Sequence, residues 1–149
     1  MEGRELSLDG VTLVFLAPLA HMLDAPGEAN DLSVVFRLTW GGFAALFTGD
    51  APEAVENDLV AQHGEALAAD LLKVGHHGSR TSTSDSLLRA LRPRAAMISA
   101  GARNRYGHPD PGVLRRLERH GVHVLRTDRQ GSVVIRVAPT GRITVRSER

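Results

Sequence analysis

Cysteine is absent from the 149-residue sequence. Its absence excludes a disulfide framework, a zinc site built on thiolates and a cysteine nucleophile. Long hydrophobic runs are lacking as well, because no stretch approaches the roughly 18 apolar residues that a membrane-spanning helix needs. The first ten residues carry no apolar core of signal-peptide length. We therefore expect this chain itself to be soluble, with any membrane anchor of a parent protein lying outside it.

Lysine is scarce, and the arginines that replace it are unevenly distributed. Of the 18 basic residues only Lys73 is a lysine. Residues 1–100 hold 7 basic and 13 acidic side chains, whereas residues 101–149 hold 11 basic and 4 acidic ones, so the net charge changes from −6 to +7. A basic C-terminal third is typical of a surface that meets a polyanion such as DNA. Arginines on solvent-facing positions of strands and helices are the simpler alternative.

The length is sufficient for one domain, residues 1–149, with a core of its own. The turn Asp9-Gly10 predicts a hairpin between two short strands. Further strands are predicted from apolar runs bounded by turn residues. The predicted strands cover 6–8, 11–16, 32–39, 43–47, 70–74, 95–99, 122–126, 132–137 and 142–146.

Three helices are predicted between the later strands. The first follows Asp50, with Glu53 and Glu56 complementing the positive end of its dipole. The second is capped by Ser82, Thr83 or Ser84, and the third is opened by Asp110 with Pro111. Strands followed by alternating strands and helices indicate an α/β protein with a mixed β-sheet and helices on one face. Half of a four-layer sandwich fits this order, and a parallel doubly wound sheet is the alternative.

Three polar clusters directly follow predicted strands. They are Thr48-Gly49-Asp50, the Gly-His-His-Gly-Ser stretch at 75–79 and the Asn-Arg-Tyr-Gly-His-Pro stretch at 104–109. The carboxyl ends of neighbouring strands meet at one edge of a sheet, where α/β proteins place their sites. We therefore expect the three clusters to form one site.

Asp50, His76 and His77 are the candidate metal ligands. A carboxylate can bridge two divalent cations, and a nitrogen–oxygen ligand set suits zinc or manganese. For Asp50 the alternative is a helix N-cap, a role that aspartate often fills. Two adjacent histidines at a strand end point to opposite sides, so one would face the site and the other would support it. Two partly exposed loop histidines are the alternative.

His108 is the candidate for proton transfer. It precedes a predicted helix N-terminus, where a phosphate would be held while His108 donates a hydrogen bond or a proton. A helix-start loop without chemistry is an equally good interpretation. Tyr106 is a second catalytic candidate, and Ser79, Asn104 and Arg105 are candidate substrate contacts.

The remaining histidines have simpler explanations than chemistry. His21 is interpreted as a solvated loop residue, although it could be a ligand. His63 and His120 end predicted helices, where they compensate the dipole. His123 alternates with valines on a predicted strand and is expected on its surface.

These clusters, in this order and spacing, resemble the metallo-β-lactamase-like domain of the ComEC family of DNA-uptake channels. The resemblance runs from about residue 30 to 137. Its most specific part is the stretch from Lys73 to Ser84 followed by 106–109. Further matches are Asn30-Asp31-Leu32-Ser33, 46–50, Arg126-Thr127-Asp128 and Gly131.

The resemblance implies a hydrolase of αββα fold with two divalent metal ions, zinc or manganese, that cleaves phosphodiester bonds of DNA in natural competence. Asp50 then looks like the residue that bridges both metals, and one of His76 and His77 like the ligand of one. Two cations would stabilise the attacking hydroxide and the charge that develops on the phosphate. The parent protein is expected at the bacterial cytoplasmic membrane, with DNA as its partner.

The family's first half supplies a His-x-Asp-x-Asp-His cluster that this sequence does not contain. The chain therefore looks like the C-terminal half of the domain, with metal binding partial or absent and little hydrolysis on its own. The missing N-terminal half would leave a sheet face open, which favours a homodimer. Two alternatives are a catalytically inert module that binds DNA or a partner, and a free-standing metallo-hydrolase of small esters.

Overall fold

The computed structural model describes residues 3–24 and 27–148. Its main sheet has seven strands that lie side by side in chain order. Strands β1 to β4 pair antiparallel, and β4 to β7 pair parallel, so the sheet is mixed as predicted and not a parallel doubly wound one. The strands are β1 (Glu5–Leu8), β2 (Val11–Ala17), β3 (Val35–Trp40), β4 (Phe43–Phe47), β5 (Leu71–Lys73), β6 (Ala95–Ile98) and β7 (His123–Arg126).

Helices connect the parallel strands, because a parallel pair cannot be joined by a tight turn. They are α2 (Glu53–His63), α3 (Asp85–Leu91) and α4 (Pro111–Arg119), while α1 (Ala20–Asp24) and α5 (Thr127–Gln130) are shorter. Helices α2, α3 and α4 bury apolar side chains with one face of the sheet, including Leu59, Leu72, Leu88, Ile98 and Leu117. This confirms the prediction of helices on one face. Within the described residues, no helix has the length and apolarity to cross a membrane.

The helix starts follow from their capping residues. Ser84 caps α3, since its Oγ accepts a hydrogen bond from the backbone N–H of Leu87. Asp110 caps α4 by accepting from Gly112 N at 2.6 Å, and Pro111 occupies the first turn. Of the three candidate caps for α3, the structure uses the last.

The segment before β3 differs from its prediction. Residues expected in a loop form α1, and Ala29–Leu32 form a 3-10 turn, so β3 begins at Val35 rather than at residue 32. The backbone N–H of Glu28 donates to Asp31 Oδ2 at 2.9 Å, which fixes the start of this turn. A local side-chain hydrogen bond thus overrides the apolar run at residues 32–35.

The C-terminal hairpin covers part of the second sheet face. Strands β8 (Ser132–Val137) and β9 (Ile143–Glu148) pair with each other in a separate two-stranded sheet, as the sequence predicted for a closing hairpin. Ile135, Val137 and Ile143 pack against Phe43 and Leu71, which are both buried. The chain therefore covers part of the face that was expected to be open. The homodimer stays a prediction.

A charge pair fixes the turn before this hairpin. The Arg126 guanidinium donates to Asp128 at 3.0 and 2.6 Å, and these side chains are only 14% and 13% exposed. These hydrogen bonds hold the pKa of Asp128 below its ordinary value. Since the folded pKa is the lower one, the stabilisation is present above the ordinary carboxyl pKa and is lost as pH falls through the folded pKa.

Asp128→Asn should therefore destabilise the protein most near neutral pH and progressively less in acid. Urea unfolding over a pH series, with exposed Asp24→Asn as the matched control, measures this. A destabilisation by Asp128→Asn that does not change with pH would contradict it.

Candidate metal and phosphate site

The three polar clusters meet at one edge of the sheet, as predicted. Asp50 follows β4, the turn Gly75–Gly78 follows β5, and the loop at 99–109 follows β6. The ends of β4 and β5 are tied together, because buried Thr48 donates through Oγ1 to Lys73 O at 3.2 Å. The backbone N–H of His76 donates to Gly49 O at 3.0 Å. The convergence expected from strand order is therefore confirmed.

The Gly-His-His-Gly stretch is a left-handed turn and not a strand end. His76, His77 and Gly78 have φ angles of 46°, 55° and 85°, a region that non-glycine residues rarely adopt. Two consecutive left-handed histidines are strained backbone, which clusters at functional sites. The expectation that strand alternation would send the imidazoles to opposite sides is wrong in its premise, because the residues are in a turn.

Asp50 and His77 face each other. His77 Nε2 lies 3.9 Å from Asp50 Oδ1, with the side chains 53% and 43% exposed. His77 Nδ1 lies 2.7 Å from Ser99 O. Because a carbonyl only accepts, Nδ1 carries a proton, and in the neutral imidazole the lone pair is on Nε2. A hydrogen bond from Nδ1 to a carbonyl oxygen is how proteins orient a histidine that binds metal through Nε2.

Asp50 is not a helix cap. The residue at the N-cap of α2 is Pro52. Asp50 instead donates its backbone N–H to Ser33 Oγ at 3.2 Å, which holds it beside the segment before β3. The capping alternative is wrong, and the carboxylate is left directed at the site edge.

His76 occupies a different position from His77. Its Nδ1 is buried and, within the described part of the chain, has no hydrogen-bond partner. Its ring meets that of His108 edge-on, with centroids 6.0 Å apart. An orphaned buried imidazole nitrogen beside the Asp50–His77 pair has the chemistry of a further ligand or of a donor to a bound anion.

The loop that carries His108 is held by its own amide side chain. Asn104 Nδ2 donates to His108 O at 2.7 Å and to Gly101 O at 2.8 Å, and Asn104 Oδ1 accepts from His108 N at 2.9 Å. Burial lowers the pKa of His108, and its electrostatic interactions with the nearby imidazoles of His76 and His77 lower it further. His108 is thus held neutral, able to accept a proton or to donate one hydrogen bond.

Tyr106 and Arg105 form the outer part of the same loop. Arg105 Nη2 donates to Tyr106 Oη at 3.0 Å, and its guanidinium carbon lies 5.2 Å from the ring centroid. Ser79, by contrast, is buried, and its Oγ is paired with Thr81 Oγ1 at 3.1 Å. Tyr106, Arg105 and Ser79 were all predicted from the sequence as site residues. The structure places Tyr106 and Arg105 at the exposed edge and Ser79 in the wall behind it.

Lys73 is the last residue of β5 and lies close enough to Asp50 to interact with its charge. Burial lowers the pKa of Lys73, and the negative charge of Asp50 works in the opposite direction. Its Nζ donates to Val74 O at 2.9 Å. The one lysine of the sequence therefore gives the site edge a partly buried cation next to its carboxylate.

Glu56 is a residue whose role the sequence did not reveal. It is fully buried on α2 and accepts hydrogen bonds from Thr83 N at 2.6 Å and Ser84 N at 2.7 Å. Glu56 does lie in the first turn of α2, as predicted for a residue that complements the helix dipole, but its burial and its two N–H partners were not predicted. The available signal was its position among Val55, Leu59 and Val60, since a charge on an apolar helix face needs a buried partner.

Two further contacts connect Glu56 to the histidine turn. Ser82 Oγ lies 2.8 Å from Gly75 O and 3.1 Å from Ser79 O. Arg116 donates from α4 to Ser82 O and Thr83 O, at 3.2 and 2.8 Å. The segment 79–84 is thus fixed through its N–H groups by Glu56 and through its carbonyls by Arg116, and it supports the turn that carries His77.

The other histidines lie outside the site. His21 belongs to α1 rather than to a loop and pairs with Asp58 at 3.4 Å. His63 and His120 are at helix C-termini as predicted, and His120 Nε2 contacts Asp85 Oδ1 at 2.8 Å. This contact lowers the pKa of Asp85. His123 is exposed on β7, which confirms its prediction.

The donors fit part of a metal site but not a whole one. A cation with bonds of about 2 Å to each ligand fits between two atoms 3.9 Å apart. Nevertheless, the described residues contain no group of three histidine, aspartate or glutamate side chains that could hold a metal ion. A stable zinc site needs three or four protein ligands. Asp50 and His77 therefore make a partial site.

Comparison with known proteins shows which proteins this chain resembles. No family model matches the chain. The chain is 41% identical to "ComE operon protein 3" of Bacillus subtilis over 111 residues, 74% of this chain and 14% of that protein. It is 40% identical to "Competence protein ComA" of Neisseria gonorrhoeae over 126 residues, 84% of this chain and 18% of that protein.

A third relative carries a name linked to recombination. The chain is 36% identical to "Recombination protein 2" of Haemophilus influenzae over 131 residues, 88% of this chain and 16% of that protein. It thus spans 14% to 18% of the length of the three relatives.

The solved structure is CmlA, a diiron β-hydroxylase from Streptomyces venezuelae. It matches with a TM-score of 0.56 and 14% identity, over 84% of this chain and 32% of that one. At this identity the likeness concerns the fold alone, and it confirms the metallo-β-lactamase architecture.

Proposed function

This chain belongs to the ComEC family of competence proteins, and on that premise we propose that it is the C-terminal half of a metal-dependent phosphodiesterase domain that acts on DNA during uptake. The observation that supports the proposal most is the pair formed by Asp50 Oδ1 and His77 Nε2, 3.9 Å apart at the edge of the sheet. Asp50 and His77 would hold a divalent cation, with ligands from outside this chain completing the site.

The bound metal would supply an activated hydroxide and a positive charge for the phosphate oxygens. Within the chain, Ser99 O fixes the proton on His77 Nδ1 and so keeps Nε2 free as a donor atom. Asn104 holds His108 in place, and burial keeps His108 neutral. In this neutral form His108 is suited to donating a hydrogen bond to a phosphate oxygen or to accepting a proton.

Two further parts of the proposal depend on the relatives. Relatives named for competence and recombination support DNA as the substrate. The parent protein would then work at the bacterial cytoplasmic membrane, where imported DNA arrives.

Hydrolysis of DNA tests the proposal. The relatives are longer than this chain, so the test uses a longer polypeptide that includes this chain and the neighbouring segments that the relatives have. This polypeptide should cleave labelled DNA when Mn²⁺ is present and should not cleave it when a chelator is present. Asp50→Ala and His77→Gln should each reduce the rate at least a hundredfold, because each removes a cation ligand. His21→Gln, which lies outside the site, should leave the rate unchanged. Unchanged cleavage by Asp50→Ala would contradict the proposal.

A catalytically inert DNA-binding module is the second candidate. It is favoured by the incomplete ligand set of the described residues and by the surplus of arginine after residue 100. In that case the longer polypeptide would bind DNA in a salt-dependent manner but show no cleavage that Asp50→Ala abolishes.

A further inference from the structure

Beside the Asp50–His77 pair lies a recess that the metal does not need. It has a volume of about 270 Å³ and opens at the carboxyl end of β6. Its floor is the backbone and small side chains of 99–101, and it is also lined by His77, whose Nε2 lies 3.9 Å from Asp50 Oδ1. A recess of this size is below that of a drug-sized site and fits one flat ring system. We call it the base recess.

Two aromatic rings form the wall of the base recess. Tyr106 and His108 lie 5.9 Å apart between centroids, with an interplanar angle of only 19°. Tyr106 is 67% exposed, although it is the only tyrosine in a chain with 4% aromatic residues. The Arg105 guanidinium lies 5.2 Å from the ring centroid, but the ring stays largely exposed and offers a surface on which another flat ring can stack. The hydrogen bonds of Asn104 and Arg105 already hold the loop in this arrangement.

The floor offers contact rather than hydrogen bonds. Thr127 Oγ1 donates to Ala100 O and accepts from Ala100 N, both at 2.9 Å, and Ser99 O is taken by His77. The backbone N–H and C=O groups that could form hydrogen bonds with the edge of a bound ring are thus largely occupied. A flat ring in this recess would be bound mainly by stacking on its faces. Different bases should therefore bind with similar affinity.

The charges around the recess favour an anionic chain. Arg103 and Arg105 are exposed on the loop that carries Tyr106, and His77 of the Asp50–His77 pair lines the recess. A ring attached to a phosphate backbone would enter the recess with one phosphate toward Asp50 and His77 and the next toward the arginines. A base that is paired in a duplex is stacked on both faces and cannot enter.

We propose that the base recess binds one unpaired nucleobase of a nucleic-acid strand, stacked on Tyr106, next to the phosphodiester at the Asp50–His77 pair. The inference rests on the proposed function and adds to it a subsite that positions the strand. Tyr106 then acts by stacking, with its hydroxyl oxygen held as the acceptor of a hydrogen bond from Arg105.

The single tyrosine makes the proposal measurable. The chain with ring-labelled tyrosine gives one set of tyrosine ring signals, and Trp40, at the far end of β3, gives a reference indole signal. A single-stranded tetra-deoxyadenylate is added without metal and with a chelator present. We expect the Tyr106 ring signals to move upfield and the Trp40 signal to stay in place. An oligomer with the same backbone but abasic sites should bind about tenfold more weakly, because one stacked base is lost.

Two variants of an exposed position, neither of which should affect folding, complete the test. Tyr106→Phe keeps the ring and should retain the tenfold preference for the base-bearing strand, whereas Tyr106→Leu should lose it. Equal affinity for the two oligomers in the unchanged chain, or an unchanged preference in Tyr106→Leu, would overturn the base recess. Because no metal is present, these outcomes are independent of whether Asp50 and His77 support hydrolysis.

Discussion

Replacing Glu56 with alanine is expected to lower the free energy of unfolding by about 3 kcal/mol. The change leaves the backbone N–H groups of Thr83 and Ser84 without their acceptor, 2.6 and 2.7 Å away in the native protein. Both groups lie in a buried segment, so water cannot replace the carboxylate without cost. The change also opens a cavity between α2 and α3, which repacking fills only in part.

The effect should extend to the site. The segment that Glu56 holds also contacts Gly75 O and Ser79 O through Ser82, on both sides of the histidine turn. Denaturant unfolding measures the stability, and the imidazole signals of His76 and His77 report the turn. Glu53→Ala, an exposed change on the same helix, is the control and should have little effect on either. A loss below about 1 kcal/mol for Glu56→Ala would contradict the role assigned to this carboxylate.

The pH dependence of this group has the opposite sign to that of Asp128. Burial raises the pKa of Glu56, while the N–H groups of Ser84 and Thr83 lower it less. The folded state then binds the proton more tightly than the unfolded state. The stability that this tighter proton binding contributes to the folded state is fully present below the ordinary carboxyl pKa. It is lost as the pH rises through the raised pKa of Glu56. Glu56→Gln, which does not titrate, should lack this dependence.

Gly78→Ala is expected to lower the free energy of unfolding by about 3 kcal/mol as well, but for a steric reason. A Cβ at this position would lie 2.6 Å from Pro109 Cβ and 3.1 Å from Pro109 Cα. The φ angle of 85° adds backbone strain for any side chain. Gly78 O also accepts from Asp110 N at 2.8 Å, so the clash would push the histidine turn away from the start of α4.

Gly107→Ala provides the matched control. Gly107 has a similar φ of 71°, but a Cβ there would meet nothing within 4 Å. It should therefore cost only the backbone strain, about 1 kcal/mol. Thermal or denaturant unfolding of the two variants separates the clash from the strain. Equal losses for Gly78→Ala and Gly107→Ala would show that the contact with Pro109 is not tight.

The site edge was predictable from local sequence because strand order alone brings its parts together. Apolar runs identified β4, β5 and β6, and the parallel crossovers between them place the following residues at one edge. Asp50, His77 and His108 therefore appear where the sequence put them. Helix starts at Ser84 and Asp110 were predictable for the same reason, since capping depends on a few neighbouring residues.

Features that depend on distant partners were not predictable in this way. The orientation of the His77 ring depends on Ser99, a residue 22 positions away whose carbonyl contacts His77 Nδ1. The role of Glu56 depends on N–H groups 27 and 28 positions away. The hairpin was predicted as an element, but its packing on Phe43 and Leu71 is a tertiary contact that no local pattern encodes. Each of these needs the geometry of a second segment.

Binding of one divalent cation by Asp50 together with His77 is tested most directly by the nitrogen chemical shifts of the imidazoles. On addition of Zn²⁺ to the longer polypeptide, which supplies the remaining ligands, His77 Nε2 should move to the range of a metal-bound nitrogen while its Nδ1 keeps its proton. In Asp50→Asn this change should need a much higher zinc concentration, and His21 and His123 should not respond in either protein. If Zn²⁺ leaves His77 Nε2 unchanged, or if Asp50→Asn binds equally well, Asp50 and His77 do not form the metal site.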